Sequence, residues 1–190
     1  MRSDALANRE ALLDAARKVF GSRSCGVALA AVAEEAGTGI ATLYRHFPTR
    51  DDLVRSVVLD LAERFVAIEA RYDAELSVEP ERAWRALVHE LAALRPGALL
   101  PELFELFAKE GVPEYARQVV ARVNESQDRL IERARAAGLV RDGIDGVAFQ
   151  VGLAAVTRPL SEVPGHVCAG AESWLVDVYL RGLRPDADRP

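Results

Sequence analysis

Apolar residues recur at intervals of three and four along almost the whole chain, and alternating runs of β-branched residues bounded by turns are absent. The spacing of three and four gathers apolar side chains on one face of an α-helix, whereas a half-buried strand needs alternation. Glycine and proline interrupt the pattern at intervals, and neither residue continues a helix readily. The sequence therefore predicts an all-α fold of about nine helices.

Three short apolar stripes open the chain, and a capping signal introduces a fourth helix. The stripes are Leu12, Leu13, Ala16, Val19 and Phe20 in the first helix, Leu29, Val32, Ala33 and Ala36 in the second, and Ile40–Phe47 in the third. Thr49 followed by Asp52 predicts the capping box of the fourth helix. Further helices are predicted from Pro80 to the break at residues 95–97, and over Leu99–Phe107, Pro113–Ala137, Val147–Val156 and Glu172–Leu183.

The composition excludes several classes of protein. Half of the 190 residues are hydrophobic, which is enough to bury a core, but no apolar run approaches the roughly 20 residues of a membrane-spanning helix. The first ten residues contain no apolar stretch typical of a signal peptide, so we expect a cytoplasmic protein. The net charge is −5, yet the first 55 residues carry eight basic and seven acidic side chains, so the excess negative charge lies in the remainder.

The chain offers no arrangement of residues typical of catalysis or of a metal site. His89 lacks a second histidine four positions away, and His166 and Cys168 stand without further ligands. Cys25 and Cys168 lie far apart and form no metal-binding or disulfide pattern. Glycine-rich phosphate loops and nucleophile motifs are also absent. We therefore expect no enzyme, no cofactor and no metal.

The second and third predicted helices have the spacing of a helix-turn-helix. Gly37 ends the second helix, and the third begins about three residues later. Leu43 and Phe47 lie four positions apart and are expected to face inward. Small, hydroxyl, aromatic and basic side chains occupy the other positions of the third helix. A surface of this kind is suited to the major groove of DNA and its phosphates.

The opening segment resembles the DNA-binding domain of the tetracycline-repressor (TetR) family. The resemblance covers residues 9–55, about a quarter of the chain, and is carried by the stretches Leu12–Phe20, Val32–Gly37 and Thr42–Leu53 in register. It implies a homodimeric, ligand-responsive transcriptional repressor that binds a pseudo-palindromic DNA operator. It also implies a helix-turn-helix domain over residues 1–52, followed by a helical ligand-binding and dimerisation domain over residues 53–190.

The resemblance assigns roles to individual side chains. Tyr44 and His46 match the family's phosphate contacts, Thr42 matches a hydroxyl contact, and Arg50 replaces the usual lysine. The full set of candidate DNA-binding residues is Thr38, Gly39, Ile40, Ala41, Thr42, Tyr44, Arg45, His46 and Arg50. The second helix departs from the family pattern, because Ala28 replaces a capping Ser or Thr, and alanines at positions 30 and 31 replace polar residues. Base recognition is therefore expected mainly from the third helix.

The later helices are expected to bind an unidentified small-molecule effector and a second subunit. Aromatic residues, and polar residues on otherwise apolar helices, are the candidates for effector contacts: Phe65, Trp84, His89, Phe104, Phe107, Asn124, Gln127 and Gln150. An apolar surface on the last two helices is expected to pair across a two-fold axis; it comprises Val147, Val151, Leu153, Ala154, Trp174, Leu175, Val178 and Tyr179. An alternative is a helical small-molecule-binding or interaction protein that no longer uses its DNA-binding motif.

Overall fold

The computed structural model describes residues 2–22, 28–99, 106–108, 111–158 and 170–185, with the backbone alone for residues 2–6, 21 and 22. Within these ranges the chain is helical and contains no strand, which confirms the all-α prediction. The helices are α1 (Arg2–Ser22), α2 (Leu29–Glu35), α3 (Ile40–His46), α4 (Arg50–Tyr72), α5 (Glu75–Val78), α6 (Pro80–Ala93), α7 (Glu114–Ala136), α8 (Gly146–Val156) and α9 (Ala171–Leu183).

One predicted helix lies only partly within the described ranges, and one short helix was not predicted. Residues 96–99 and 106–108 are helical, whereas residues 100–105 of the predicted helix Leu99–Phe107 lie outside the described ranges, as do Cys25, His166 and Cys168. The short helix α5 was not predicted from the sequence, because four residues cannot display an amphipathic period.

The start of α4 is fixed by the predicted capping box. The amide of Asp52 donates to Thr49 Oγ1 at 3.1 Å, and the amide of Thr49 donates to Asp52 Oδ2 at 3.1 Å. A further hydrogen bond from the Thr49 hydroxyl lowers the pKa of the Asp52 carboxyl. Two N–H groups that would otherwise have no partner are satisfied in this way.

The buried side chains form two hydrophobic cores. The N-terminal core lies among α1–α3, the start of α4 and the later segments 96–99 and 106–108, and comprises Leu12, Leu13, Ala15, Ala16, Val19, Phe20, Val32, Ala33, Leu43, Phe47, Leu53, Val54, Val57, Leu99 and Leu106. The C-terminal core lies among α4–α9 and includes Phe65, Trp84, Leu87, Leu91, Leu130, Ile131, Phe149, Leu153 and Val176. Each core contains side chains from several helices, so the helices stabilise one another by packing.

Helix α4 belongs to both cores. Leu53, Val54 and Val57 are buried in the N-terminal core, and Phe65 is buried in the C-terminal core. Leu61 packs against both. A displacement of α4 would therefore be felt in both parts of the molecule.

Ion pairs also tie α4 to α1. Arg64 lies 3.0 Å from Asp60 on its own helix and 3.1 Å from Asp14 on α1. Arg17 on α1 pairs with both of these carboxylates. The four side chains form a network across the outside of the α1–α4 contact, where several shared charges hold better than one isolated surface pair.

Candidate nucleic-acid interface and effector cavity

A glycine corner sets the direction of α3. Gly37 has a φ of +65°, in the left-handed region that residues with a side chain rarely adopt. The amide of Thr38 donates to the carbonyl of Ala33 at 2.9 Å, and the amide of Gly37 donates to the carbonyl of Glu34 at 3.0 Å. These bonds close the end of α2 and allow α3 to start at Ile40, three residues later.

The inner face of α3 is anchored in the N-terminal core. Leu43 is completely buried and Phe47 nearly so, as the sequence predicted. The guanidinium carbon of Arg9 lies 5.4 Å from the centre of the Phe47 ring, so α1 also covers this end of α3. One side of α3 is thus fixed to the body of the protein.

The outer face of α3 is accessible. Ile40 is 40% exposed and Tyr44 is 49% exposed. The remaining candidate residues divide by exposure into Gly39, Ala41 and Arg45, which are exposed, and Thr38, Thr42, His46 and Arg50, which are half-buried. All nine residues lie between the glycine corner and the start of α4, and each is at least partly accessible.

His46 and Arg50 lie at the edge between this face and the core. The Nε2 atom of His46 is buried and makes no hydrogen bond within the described part of the chain, and its ring centre lies 6.3 Å from that of Phe47. The guanidinium of Arg50 lies 5.5 Å above the Phe20 ring. Arg50 thus makes a cation–π contact with the N-terminal core.

The first turn of helix α2 presents no polar side chain, and its polar surface comes from Glu34 and Glu35 at the other end. Ala28 is its N-cap residue and offers no side-chain hydrogen bond, as the sequence indicated. Ala30 is exposed and Ala31 is half-buried, so neither presents a polar group. Glu35 at the end of the helix lies 3.2 Å from Lys18.

A large apolar cavity lies among α4, α7, α8 and residues 96–99. Its volume is about 390 Å³, within the range that small-molecule sites occupy. The lining residues are Val58, Leu61, Ala62, Phe65, Pro96, Leu99, Val119, Val120, Val123, Gln150, Val151 and Ala154. Gln150 alone among these carries a polar side chain.

The structure brings some of the candidate effector residues together at this cavity and places others elsewhere. Phe65 and Gln150 line it. Phe107 lines a much smaller space between α4 and α7. The remaining candidates do not line it: Trp84 and His89 lie on α6, Asn124 is half-buried on α7, Gln127 is fully buried on α7, and Phe104 lies outside the described residues.

Both parts of the chain match known sequence profiles. Residues 12–57 match bacterial regulatory proteins of the tetR family, and residues 79–185, more than half of the chain, match the SbtR-like transcriptional regulator C-terminal domain. The chain belongs to the TetR family. TetR proteins are DNA-binding transcriptional regulators and not enzymes, so the prediction of a non-enzymatic regulator is confirmed.

Solved TetR structures resemble the chain over nearly its whole length. The TetR transcriptional regulator SCO0520 from Streptomyces coelicolor is 30% identical, with a TM-score of 0.65 and coverage of 94% of this chain and 99% of that one. The TetR transcription regulatory protein from Mycobacterium vanbaalenii is 27% identical, with a TM-score of 0.62 and coverage of 97% of this chain and 99% of that one.

A sequence relative matches a shorter part of the chain. The HTH-type transcriptional regulator SAB2452 of Staphylococcus aureus (strain bovine RF122 / ET3-1) is 37% identical over 59 residues, which is 30% of this chain and 32% of that protein.

Sequence reasoning missed most of the cavity wall of this TetR protein. The valines and leucines that line the cavity follow the same period as core residues, so no pattern distinguishes them. It also missed Glu69, a buried carboxyl that accepts a hydrogen bond from the Ser126 hydroxyl. Burial raises the pKa of Glu69 to about 7.

Two further features concern the described part of this TetR chain. No helix there is both long enough and apolar enough to cross a membrane. Its His, Cys, Asp and Glu side chains do not gather in groups of three or more that would hold a metal ion. Leu153 and Ala154, which the sequence placed on the predicted dimer surface, are buried, because Leu153 packs in the C-terminal core and Ala154 lines the apolar cavity.

Proposed function

We propose that this TetR protein is a ligand-responsive transcriptional repressor that binds a pseudo-palindromic operator as a homodimer in the cytoplasm. The observation that carries the proposal is the double role of α4. This helix begins beside the exposed face of α3, is buried in both cores, and supplies four residues of the apolar cavity. Occupancy of the cavity and the position of α3 therefore depend on the same helix.

In the proposed complex, α3 lies in the major groove of the operator. Ile40 and Ala41, at the exposed start of the helix, meet base edges, because small and apolar side chains allow close approach. Thr42, Tyr44 and His46 contact phosphates, with Arg45 and Arg50 adding positive charge, and Thr38 and Gly39 approach through the backbone. Base recognition rests on few side chains, since α2 presents alanines.

The second subunit pairs with the exposed apolar surface of α8 and α9. We call this surface the α8–α9 face; it consists of Val147, Val151, Trp174 and Val178, all exposed in the single chain. An apolar surface of this kind is stabilised when a second copy covers it. The two-fold axis then presents two copies of α3 to successive major grooves, which requires an operator with two inverted half-sites.

The effector is a small apolar molecule with a hydrogen-bonding group for Gln150. To release the operator, it must bind the DNA-free arrangement of α4 more tightly than the DNA-bound one, by a few kcal/mol. The cavity contacts α4 through Val58, Leu61 and Phe65, and a ligand against these side chains acts on the helix that also packs in the N-terminal core.

The DNA-binding role is tested by fluorescence anisotropy with the DNA that precedes the coding region of this protein, at two salt concentrations. Specific binding is expected at low salt and should weaken steeply as salt rises, by about 0.9 in log K per log salt for each phosphate contacted. Tyr44→Ala should weaken binding to every sequence, Ile40→Ala should change the sequence preference, and the control Tyr115→Ala on α7 should do neither. The absence of a specific complex at low salt would disprove the role.

The effector role is tested by thermal-shift screening of small apolar compounds. A compound that stabilises the protein should lose this effect in Ala62→Phe, which fills the cavity, and retain it in Ala67→Phe on the exposed side of the same helix. The same compound should weaken DNA binding, and DNA should weaken compound binding by the same factor. A compound that binds the cavity with no change in DNA affinity would contradict ligand-responsive repression.

A further inference from the structure

The apolar cavity is closed at one end and open at another. At the closed end, Phe65 on α4 is 2% exposed and Val123 on α7 is 5% exposed. Val120 on α7 and Val151 on α8 line the same space, yet they are 49% and 64% exposed in the single chain. The cavity therefore opens to solvent between α7 and α8 at these two valines. We call this opening the mouth.

The open mouth leaves the cavity incomplete as a site for a small molecule. Sites of this kind usually bury about 70–90% of the ligand surface. A ligand seated against Phe65 and Val123 would remain in contact with water at the mouth, because the valines there do not enclose it. The single chain thus supplies the floor and most of the wall of the cavity, and it lacks a cover.

The mouth borders the surface that the proposed dimer uses. Val151 lines the cavity and is also a member of the α8–α9 face, and Val147 of the same face lies one helical turn before it on α8. Residues four positions apart lie on the same side of a helix, so the apolar face continues along α8 to the mouth. A molecule that covers the α8–α9 face around Val151 therefore covers the mouth as well.

A second copy of this chain is the cover that fits. A two-fold contact joins the same surface of both subunits, so the α8–α9 face meets its own counterpart. The exposed side chains at the mouth and on this face are apolar, and a matching apolar surface is what their burial requires. The wall that the single chain lacks is then made of the same apolar residues in the second copy.

We propose that the second subunit forms the missing wall of the apolar cavity, so that the dimer binds the effector much more tightly than the single chain does. The inference rests on the proposed homodimer and the proposed effector cavity, and it adds a coupling between them. Because the effector gains contacts when the second subunit is in place, effector binding and dimerisation strengthen each other by the same factor. The effector accordingly releases the operator from an intact dimer and does not separate the subunits.

The test compares dye binding by a dimer and by a monomer. The probe is N-phenylnaphthylamine, an uncharged dye that fluoresces when it leaves water and whose N–H can donate to the Gln150 amide. Cavity binding is the saturable fluorescence that Ala62→Phe removes and Ala67→Phe retains, measured in each background. Val178→Lys supplies the monomer, and Val78→Lys is a dimer with the same added charge; neither valine lines the cavity.

The dye should bind the unaltered dimer and Val78→Lys alike. In Val178→Lys, at concentrations where light scattering finds a monomer, its dissociation constant for the cavity should rise roughly tenfold or more. A tenfold change corresponds to about 55 Å² of apolar surface that the second subunit no longer covers. Acrylamide should also quench the cavity-bound dye several-fold more in the monomer, since only there does the mouth remain open.

The outcomes separate this inference from the proposals on which it rests. Equal dissociation constants and equal quenching in the monomer and the dimer would overturn the inference alone. A dye that the dimer does not bind, or binds equally well in Ala62→Phe, would contradict the effector cavity. An unaltered protein that is a monomer, or a Val178→Lys that is still a dimer, would contradict the proposed subunit contact. Either of the last two results overturns the shared wall as well.

Discussion

Single residues of this TetR protein decide how well its helix ends and buried polar groups are satisfied. Thr49 and Asp52 satisfy two N–H groups at the start of α4, whereas Ala28 offers nothing at the start of α2. Inside the molecule, Glu69 and Gln127 are buried polar side chains, and Glu69 accepts a hydrogen bond from Ser126. A missing cap and a buried carboxyl each lower the stability of the fold, so the sign of the change in unfolding free energy can be predicted for substitutions at these positions.

Replacing the N-cap of α2 should stabilise the protein. Ala28 already has the extended backbone conformation of an N-cap residue, and a serine hydroxyl there can accept a hydrogen bond from an N–H of the first turn. We expect Ala28→Ser to raise the free energy of unfolding by about 1 kcal/mol. Urea denaturation followed by circular dichroism measures the change. Ala30→Ser, in the exposed middle of α2, is the control and should be neutral or slightly destabilising.

Glu69 should make stability decrease as pH rises. Burial raises its folded-state pKa from the ordinary value of 4.5 to about 7, so the folded chain holds a proton that the unfolded chain releases. The stabilising contribution is complete below the unfolded pKa and is lost as pH rises toward the folded pKa. Glu69→Gln has no charge to bury, so it should be more stable than the unaltered protein at about pH 8, by on the order of 3 kcal/mol.

The pH dependence separates this effect from a simple packing change. By about pH 4 most of the advantage of Glu69→Gln should have disappeared, because Glu69 itself is then neutral in the folded chain and mostly neutral in the unfolded chain. Urea titrations at both pH values measure it. Glu63→Gln, at an exposed carboxylate on the same helix, should show no such trend. An equal stability gain at both pH values would contradict the burial argument.

At the scale of elements, the arrangement of α2 and α3 depends on the backbone between them. Gly37 and Gly39 lie two residues apart in this connection, and neither has an atom within 4 Å of the position that a Cβ would occupy. They differ in conformation, since Gly37 has a φ of +65° and Gly39 has a φ of −79°. A Cβ would meet no neighbouring atom at either position, so any difference between alanine substitutions at the two glycines reports the backbone conformation alone.

Gly37→Ala should destabilise the protein by about 1–2 kcal/mol, because a Cβ in the left-handed region is crowded by its own backbone. Gly39→Ala should change stability by less than about 0.5 kcal/mol, since its φ suits any residue and the small loss of N-cap preference offsets the lower entropy of the unfolded chain. Thermal and urea unfolding of the two variants measure this. Equal effects would show that the corner does not depend on the left-handed conformation.

The elements that the sequence predicted well are those with a long stripe or a strong local signal. Long apolar stripes predicted α1 and α7. The capping box at Thr49 predicted the start of α4, and Gly37 predicted the end of α2. The apolar cavity gives no such signal, because Val58 and Val123 have the same spacing as fully buried residues. The partners of Trp84 and His89 are also hidden, since Phe149 lies on α8 and Asp177 lies on α9, far along the chain. Such contacts depend on how the helices pack.

At the scale of the whole molecule, the exposed apolar side chains of α8 and α9 differ from that of α5 in whether they have apolar neighbours. Val147, Val151, Trp174 and Val178 form the α8–α9 face, whereas Val78 on α5 stands alone and is 79% exposed. A lone exposed valine needs no explanation, but a contiguous apolar face on two packed helices indicates an interface.

A charge on the α8–α9 face should separate the subunits. Val178→Lys buries an ammonium group without a partner in each subunit of the proposed dimer, and we expect its dissociation constant to rise roughly hundredfold or more. Light scattering coupled to size-exclusion chromatography should then find a monomer at concentrations where the unaltered protein is a dimer. Val78→Lys introduces the same charge at the isolated position and should remain dimeric. A dimeric Val178→Lys would place the interface elsewhere.

The shared helix α4 has a consequence for how such regulators can be recombined. A hybrid that joins the first three helices of this protein to the C-terminal helices of a relative would cut α4 into halves of different origin or separate it from one of its cores. Leu53 and Val57 would then pack against the N-terminal core of another protein, or Phe65 and Ile68 would pack against the C-terminal core of another protein. Functional exchange of effector specificity is therefore expected to proceed by changing the cavity-facing side chains of α4, with the helix itself retained.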